Sequence, residues 1–309
     1  MPTTILDRYT VRPVVDADLD DVVGLTDGMD RALGLPADPI RAFLIWIWHL
    51  PTTDLGRDTR LVLDGETVVG YGQAIWTPEE GGPLYLLARV HPEHQGAGIG
   101  TWLLAWGEAL ADERGSRGVR ADVVDRDEPG HELLRSRGYR PVRSSHTMSK
   151  DLVADEDEWA VPAGVTIRPY TDADERTLYE IHEASFSDHW GYRPTSFERF
   201  NEQMRGEDWD PTLVFLADHD GRTVGHIISF VFGDYGYVAG LGVVRPARGR
   251  GIATALLRRT FVEIAARGIH EIRLEVDAQN PHGAVALYEG VGMTPRRCYD
   301  IFDLGTVEA

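Results

Sequence analysis

One short pattern occurs twice in this chain, and its two copies divide the sequence more sharply than any feature of composition. Each copy has Gln or Arg, then Gly three positions on, then Gly or Ala two positions later; the copies are Gln95, Gly98 and Gly100, and Arg248, Gly251 and Ala253. They lie 153 positions apart, and the Asp-Gly pair at 64–65 likewise returns 156 positions later at 220–221. Landmarks that recur in one order at a nearly constant spacing indicate a duplicated domain rather than an array of short repeats.

The duplication predicts two domains, which is also the number expected of a chain of 309 residues. We expect an N-terminal domain at residues 1–152, a linker at 153–163 and a C-terminal domain at 164–309, because the linker stretch is acidic and contains Pro162. Both halves have the pattern of strands with helices on both faces. The predicted fold class is therefore α/β, with an α+β mixed sheet in each of two tandem domains.

Hydrophobic periodicity predicts the same order of elements in both halves. The first half is expected to have strands and helices at residues 9–15, 16–25, 60–63, 67–76, 84–90, 98–114, 119–124, 130–137 and 139–152. The matching segments of the second half are 165–169, 173–185, 213–217, 223–232, 236–244, 251–267, 271–277, 281–289 and 293–304. A further helix at 39–50 would be apolar almost all round, which favours burial between domains or in a dimer contact over an aromatic wall of a substrate pocket.

The second copy of the pattern has the features of an anion-binding turn. A β-branched strand end runs through Pro246 into a turn rich in Arg and Gly, and an amphipathic helix follows at once. The first turn of a helix has backbone N–H groups without partners and about half a positive charge, and Gly249 and Gly251 would let a phosphate approach the backbone closely. A P-loop would need a lysine here, and a dinucleotide fingerprint would need glycine at Thr254. Both of those phosphate motifs are therefore excluded.

The pattern instead resembles the acetyl-CoA pyrophosphate loop of the GNAT superfamily of N-acyltransferases. Residues 274–289 resemble the second half of the same signature, with Asn280 after a strand and Tyr288 eight positions on in a Leu-Tyr-Glu-x-x-Gly-Met sequence. The resemblance covers nearly the whole chain, since both halves follow one layout. It implies an N-acyltransferase with acetyl-CoA as co-substrate, in which Asn280 orders the cofactor arm and Tyr288 is the acid that meets the departing thiolate.

The resemblance also implies which residues bind acetyl-CoA. In the second half they are Leu241, Val243, Val244, Arg248, Gly249, Arg250, Gly251, Ile252, Ala253, Thr254 and Asn280. In the first half they are Val90, Gln95, Gly96, Gly98 and Gly100. The first half has Leu134 at the position of Tyr288 and Arg126 at that of Asn280, so we expect no chemistry there. Its loop either still holds acetyl-CoA or keeps its glycines only for packing.

Acetyl transfer to an amine also needs a base, because a free alkyl amine has a pKa of about 10. Many GNAT relatives place a glutamate on the central strand, but residues 236–244 contain no acidic residue. Asp234, His189, His226 and Glu275 are candidates, and a chain of water molecules would also serve. We favour His189 or Asp234. A backbone N–H near residues 241–243 would polarise the thioester carbonyl.

Composition argues against several other classes of function. The chain has 31 Lys and Arg against 50 Asp and Glu, and its net charge of −19 disfavours nucleic acid or an acidic membrane surface as a partner. The lack of an apolar run long enough to span a bilayer predicts a cytoplasmic protein. Cys298 is the only cysteine, so an intrachain disulfide and a cysteine metal cluster are excluded, and we expect no metal. We expect a monomer or a homodimer.

Within the family, this chain, with two tandem domains of which one is expected to be catalytic, is similar to the mycothiol synthase-like subgroup, which acetylates a cysteinyl amine. The sequence thus predicts an N-acetyltransferase that moves the acetyl group of acetyl-CoA directly to a primary amine of a small molecule in a ternary complex. The acceptor is expected in the cleft between the domains, near residues 186–193. Two other classes stay open: a non-catalytic acetyl-CoA sensor or pseudo-enzyme, and an interaction module that uses Trp46 and Trp48 at an exposed patch.

Overall fold

The chain forms two compact units in the computed structural model, which describes residues 5–37, 40–50, 52–76, 82–153, 160–204 and 209–305. Unit 1 comprises the described residues of 1–144 and 298–308, and unit 2 comprises those of 145–297. Residues 154–159 of the predicted linker lie outside the described residues. No helix among the described residues has both the length and the apolar content that a membrane crossing needs.

Unit 1 is built on a mixed sheet. Its strands are β1 (Thr10–Arg12), β2 (Thr59–Asp64), β3 (Thr67–Ile75), β4 (Leu84–Val90), β5 (Gly118–Val124) and the second part of β12 (Thr294–Gly305). Its helices are α1 (Leu19–Ala32), α2 (Ile40–Trp48), α3 (Leu55–Asp58), α4 (Ile99–Arg114) and α5 (Glu128–Ser136). The strands neighbour one another in the order β1-β2-β3-β4-β5-β12, and every pair is antiparallel except β4 with β5.

Unit 2 repeats this plan. Its strands are the second part of β6 (Arg140–Asp151), β7 (Val165–Pro169), β8 (Val214–His219), β9 (Arg222–Phe232), β10 (Tyr235–Val243) and β11 (Glu271–Asp277). Its helices are α6 (Glu175–Phe186), α7 (Phe197–Met204), α8 (Ile252–Ala265) and α9 (Ala284–Gly290). The strand order is β6-β11-β10-β9-β8-β7, and only β10 and β11 pair in parallel. The predicted mixed α/β class is confirmed.

Strands β6 and β12 are exchanged with respect to the sequence repeat. Residues 145–151 of β6 pair with β11 in unit 2, although β6 follows α5 of the first half. Residues 299–305 of β12 pair with β5 in unit 1, where Phe302 is fully buried in the core. The compact units therefore differ from the predicted domain ranges by these two strands, because a repeat records the order of elements and not which sheet the last strand joins.

Each unit buries both faces of its sheet, because successive side chains of a strand point to opposite faces. In unit 1, Leu61 belongs to the buried cluster that includes α1 and α2, whereas its neighbour Val62 belongs to the cluster that includes α4. In unit 2, Val214 belongs to the cluster with α6 and α7, and Phe215 to the cluster with α8 and α9. Helices therefore cover both faces of each sheet, as the sequence predicted.

Several element ends differ from those predicted. The helix predicted at 16–25 begins at Leu19 and continues to Ala32, and the helix predicted at 281–289 begins at Ala284. The one-turn helix α3 was not predicted. It begins where the Asp54 carboxylate accepts a hydrogen bond from the Gly56 N–H at 2.9 Å. A single Asp in a polar stretch is not sufficient to predict such a capping contact.

The apolar helix α2 buries only one side. Trp48 is 4% exposed and donates its indole N–H to the Tyr71 hydroxyl at 2.9 Å. Phe43 and Trp46, on the other side, are 36% and 44% exposed. Trp48 is therefore a core residue of unit 1, and the prediction of an exposed patch that uses both tryptophans is wrong for Trp48.

Candidate functional site

A cleft opens in unit 2 where strands β10 and β11 part. The two strands pair in parallel as far as Tyr237 with Arg273. The residues that follow on each strand, 238–243 and 274–277, line a cleft of about 490 Å³. Parted strands leave backbone groups facing the space between them, so this cleft can offer hydrogen bonds from the main chain itself.

A bulge in β10 lies at the edge of the cleft. The pairing of β10 with β9 shifts register between Val238 and Gly240, so that Ala239 is the extra residue. Such a residue is left out of the ladder and bends its strand. Ala239 is exposed and lines the cleft.

Most site residues predicted from the second half meet in this cleft. Those that line it are Leu241, Val243, Arg248, Gly249, Gly251, Ile252, Ala253, Thr254, Asn280, His189 and Tyr288. Val244 and Arg250 belong to the adjoining loop but not to the lining. The Val244 N–H donates to the Val224 carbonyl at 2.9 Å, and the Arg250 guanidinium lies 3.3 Å from Nε2 of His219.

The loop between β10 and α8 ends on a helix N-terminus that no side chain caps. Gly251 is the residue before the first turn, with a φ of 78°, in the left-handed region that favours glycine. A Cβ at Gly249 would meet no atom within 4 Å, so the backbone there is open to a ligand. The first-turn N–H groups of α8 are thus available to an anion, and the loop fits a diphosphate.

The Arg248 side chain holds this loop to the rest of unit 2. It donates to the Val243 carbonyl at 2.9 Å, to the Ser185 carbonyl at 3.0 Å and to the Asp188 carboxylate at 2.8 Å. With its guanidinium engaged in this way, Arg248 shapes the backbone cradle instead of serving as a free cation beside it.

Gly242 is a glycine of the cleft wall because side chains already fill the space behind it. A Cβ on Gly242 would overlap the Ser185 hydroxyl and lie 2.6 Å from Cε1 of His226. At the neighbouring Gly240 a Cβ would lie 3.6 Å from Cε1 of His182, an ordinary contact. Larger residues at 242 would therefore push α6 away from β10.

Three histidines surround Phe186 at this wall. The rings of His182 and His189 lie 4.5 Å and 4.6 Å from the Phe186 ring, and Nδ1 of His182 lies 3.2 Å from Nε2 of His226. Burial lowers the pKa of His182 to about 4 and also lowers the pKa values of His189 and His226. All three imidazoles are therefore neutral at pH 7, and His189 is the one that lines the cleft. The described residues contain no group of His, Cys, Asp or Glu side chains suited to a metal ion.

Tyr288 and Asn280 approach the cleft from the other side. Tyr288 lies on α9 and is 9% exposed, and burial raises the pKa of its hydroxyl to about 12, so the group stays protonated. Its hydroxyl forms no hydrogen bond with another described residue. The Asn280 side chain accepts the His282 N–H at 2.9 Å and so fixes the turn before α9.

The two acidic candidates lie in different places. Asp234 is exposed in the turn between β9 and β10 and is not among the lining residues. It precedes the first residue of β10, whereas the cleft begins after Tyr237. Glu275 is exposed on β11 and lines the cleft. The geometry thus brings His189 and Glu275 to the cleft and leaves Asp234 outside it.

The first copy of the pattern has the same backbone form and a similarly open turn, since a Cβ at Gly96, like one at Gly249, would meet no atom within 4 Å. Gly98 precedes α4 with a φ of 87°, and a Cβ there would lie 3.4 Å from Cγ2 of Ile5. The Tyr9 hydroxyl lies 3.3 Å from Nδ1 of His94, so residues near the start of the chain pack on this loop. The other first-half residues predicted to bind acetyl-CoA belong to this loop, the end of β4 and the start of α4, and are Val90, Gln95, Gly96 and Gly100.

Phe186 and His189, which line the cleft, belong to the region predicted for the acceptor, whereas Ser185, His282 and His182 were not predicted. A signal for part of this group exists in the sequence. His182, Phe186 and His189 follow one another at spacings of four and three, which place residues on one face where the chain is helical. His282 stands two residues after the predicted Asn280.

A family model described as "Acetyltransferase (GNAT) family" matches residues 34–139 and 176–293 of this chain. Each match contains one copy of the repeated pattern. The mycothiol acetyltransferase of Pseudarthrobacter chlorophenolicus is 31% identical over 242 residues, which are 74% of this chain and 72% of that protein. The mycothiol acetyltransferase of Streptomyces avermitilis is 32% identical over 237 residues, 75% of each chain.

Solved structures of GNAT proteins also match this chain. A GCN5-related N-acetyltransferase from Sphaerobacter thermophilus matches with a TM-score of 0.87 at 30% identity, over 97% of this chain and 96% of that one. A tandem GNAT protein from the clavulanic acid biosynthesis pathway matches with a TM-score of 0.72 at 19% identity, over 97% and 99%, and shows the shared fold. With the family matched in both halves, this chain belongs to the GNAT family of acetyltransferases, enzymes that use acetyl-CoA.

Proposed function

We propose that unit 2 transfers the acetyl group of acetyl-CoA to a primary amine of a small molecule, directly and within a ternary complex. The observation that carries the proposal is the cleft itself. An anion-binding loop, the backbone of two parted strands, a protonated phenol at Tyr288 and a neutral imidazole at His189 all border one space.

Coenzyme binding is assigned to the backbone of unit 2. The open loop at Gly249 and Gly251 and the first-turn N–H groups of α8 would hold the diphosphate. Residues 241–243 would run beside the pantetheine arm and offer N–H groups to the thioester oxygen. Acetyl-CoA supplies the activated acetyl group.

Tyr288 is assigned to stabilise the thiolate that leaves. A free thiol of the cysteine type has a pKa near 8.5, below the value of about 12 at Tyr288. The hydroxyl therefore acts by donating a hydrogen bond to the sulfur as negative charge grows there, and it needs no proton exchange with bulk water to do so. Its lack of a partner among the described residues leaves that donor available.

His189 is assigned the base's part. It lines the cleft, and its pKa is lowered by burial, so the imidazole is ready to accept a proton at pH 7. Asp234 is left out of this mechanism because it is exposed in a turn outside the cleft lining. Glu275 is the second choice, since it also lines the cleft.

Direct transfer is favoured over a covalent acyl-enzyme. Cys298, the only cysteine, belongs to unit 1 and not to this cleft. The Ser185 hydroxyl donates to the His182 carbonyl at 3.0 Å and is 1% exposed, so it is poorly placed as a nucleophile. An amine that attacks the thioester itself needs neither residue.

The relatives support the choice of acceptor class. Two of them are named mycothiol acetyltransferases and match about three quarters of this chain. A cysteinyl amine is therefore the first acceptor to test, as the sequence analysis suggested. The alternative is a non-catalytic acetyl-CoA sensor, against which both Tyr288 and Asn280 at the cleft argue.

The test is to mix the protein with acetyl-CoA and a panel of primary amines, including an S-methylated cysteinyl compound, and to follow the loss of the thioester. We expect amine-dependent loss with at least one acceptor. Binding of CoA without thioester loss above background for every amine would favour the sensor.

A further inference from the structure

We propose that Asp188 is a positioning residue that holds the phosphate loop and the Asn280 turn of unit 2 in one arrangement. The inference rests on the proposed function, because it concerns the same coenzyme cleft. It adds a residue that neither the motif nor the cleft lining includes.

On the loop side, two arginines converge on the Asp188 carboxylate. Arg248 donates to both of its oxygens, at 2.8 Å and 3.1 Å, and Arg245 donates to one of them at 3.0 Å. A forked contact of this kind fixes direction as well as distance. The same Arg248 side chain holds the carbonyl of Val243 at the end of β10, so Asp188 restrains the loop at its first residues.

On the other side of the cleft, His282 completes the contact. Its Nε2 lies 3.2 Å from Oδ2 of Asp188. Its backbone N–H is the group that the Asn280 side chain holds at 2.9 Å. One carboxylate just beyond α6 therefore connects the loop before α8 to the turn before α9, two segments about thirty positions apart in sequence.

Because Asp188 is charged, a positioning role and a purely electrostatic role predict opposite changes in CoA affinity when the charge is removed. The hydrogen bond from Arg248 holds the pKa of Asp188 well below its usual range, so the group is an anion at any pH near neutrality. An anion beside a phosphate cradle repels the ligand, and its removal alone should strengthen binding of CoA. Removal of a residue that preorganises the cradle should instead weaken CoA binding, because the loosened loop must be ordered when the ligand binds.

The experiment measures the Kd of CoA by calorimetry, without any acceptor, for the wild-type full chain and for Asp188→Asn. The substitution keeps the shape of the side chain and removes its charge. We expect binding to weaken by roughly tenfold or more, the change that corresponds to the loss of one charge-assisted hydrogen bond. The matched control is Asp210→Asn, which breaks the 2.7 Å pair with Arg267 in the same unit but away from the cleft, and which should leave the Kd unchanged.

Unchanged or tighter binding by Asp188→Asn would overturn the proposal, and so would an equal loss in Asp210→Asn. If Asp188→Asn does not fold, Arg248→Lys provides the second variant, since it keeps the charge but loses the forked contact and should also weaken CoA binding. A wild-type Kd for Arg248→Lys would contradict the proposal. CoA binding needs no transfer step, so these outcomes are distinct from a failure of the acetylation assay.

Discussion

Arg89 and Asp122 form a partly buried ion pair between strands β4 and β5 of unit 1, with nitrogen and oxygen 3.5 Å apart. These strands pair in parallel from Leu84 with Val119 to Leu86 with Ala121, so the ion pair spans the place where they part. Counted 153 positions on, the matching residues of unit 2 are Gly242 and Glu275, which border the cleft. Unit 1 thus has an ion pair across the two strands where unit 2 has Gly242 and Glu275 at the border of its cleft.

We therefore predict one coenzyme per chain. Gly251→Val should abolish CoA binding, because valine is strained at a φ of 78° and would add bulk to the cradle. Gly98→Val places the same strain at a φ of 87° in unit 1 and should leave CoA binding intact, apart from lower stability. Calorimetric stoichiometry checks both. Two equivalents bound to the wild type, or loss of half the binding in Gly98→Val, would assign a coenzyme to unit 1.

Tyr288→Phe should lower kcat by about 100-fold and leave the Kd of CoA within about twofold. The hydroxyl is assigned to the departing sulfur. It makes no hydrogen bond with another described residue, so the substitution removes no contact that stabilises the fold. The melting temperature should accordingly stay close to that of the wild type. Steady-state kinetics, calorimetry and thermal unfolding give the three values.

Tyr139→Phe is the matched control for this substitution. Tyr139 is also buried, at 2% exposed, but its hydroxyl donates to Glu108 in unit 1 at 3.2 Å. The control should show the reverse pattern, a lower melting temperature with an unchanged kcat. A fully active Tyr288→Phe protein would remove the phenol from the mechanism.

The sequence was sufficient for those parts of the site that depend on local order. Gly249, Gly251 and the start of α8 follow one another along the chain, so turn and helix preferences predict the cradle directly. Asn280 and Tyr288 likewise lie in one continuous signature. Their presence in the cleft lining agrees with that prediction.

What the sequence could not reveal depends on contacts between distant segments. The choice between Asp234 and His189 needs the position of the cleft along β10 and the packing of α6. The contact of Asp188 with Arg248 joins residues 60 positions apart. The exchange of β6 and β12 depends on which sheet edge each strand reaches, and a duplicated pattern is the same for either pairing.

The pH dependence of kcat provides a test of His189. Burial lowers its pKa below 6.5, while the nearby Asp188 carboxylate raises it and the neighbouring His282 and Arg248 side chains lower it further. We expect the midpoint of the acidic fall in kcat to lie below pH 6.5, the ordinary value of an imidazole, because the lowered pKa of His189 delays its protonation. His189→Gln should lower kcat by about 100-fold and abolish that acidic fall.

Glu275→Gln is the comparison that assigns the base. If His189 accepts the proton, Glu275→Gln should keep the acidic fall of kcat at the same pH. If instead Glu275→Gln lowers kcat and loses the acidic fall, while His189→Gln stays active, Glu275 is the base.

The buried pair of His182 and His226 should make the protein sensitive to mild acid. The folded state lowers the pKa of His182 from 6.5 to about 4 and lowers that of His226 too, so the unfolded chain binds more protons than the folded one between these values. Stability should therefore be complete above pH 6.5 and be lost as the pH falls toward 4, by roughly 3 kcal/mol for His182 alone.

Thermal unfolding of the ligand-free protein at a series of pH values from 7.5 to 5 measures this loss. His182→Gln should flatten the fall of the melting temperature with pH, because glutamine replaces an imidazole whose protonation opposes folding. His49→Gln is the control, since the His49 side chain is 63% exposed and should not alter the slope. An equal slope in His182→Gln and the wild type would show that protonation at position 182 does not limit stability. A slope reduced equally by His49→Gln would attribute the effect to histidine content instead of to the buried pair behind Gly240.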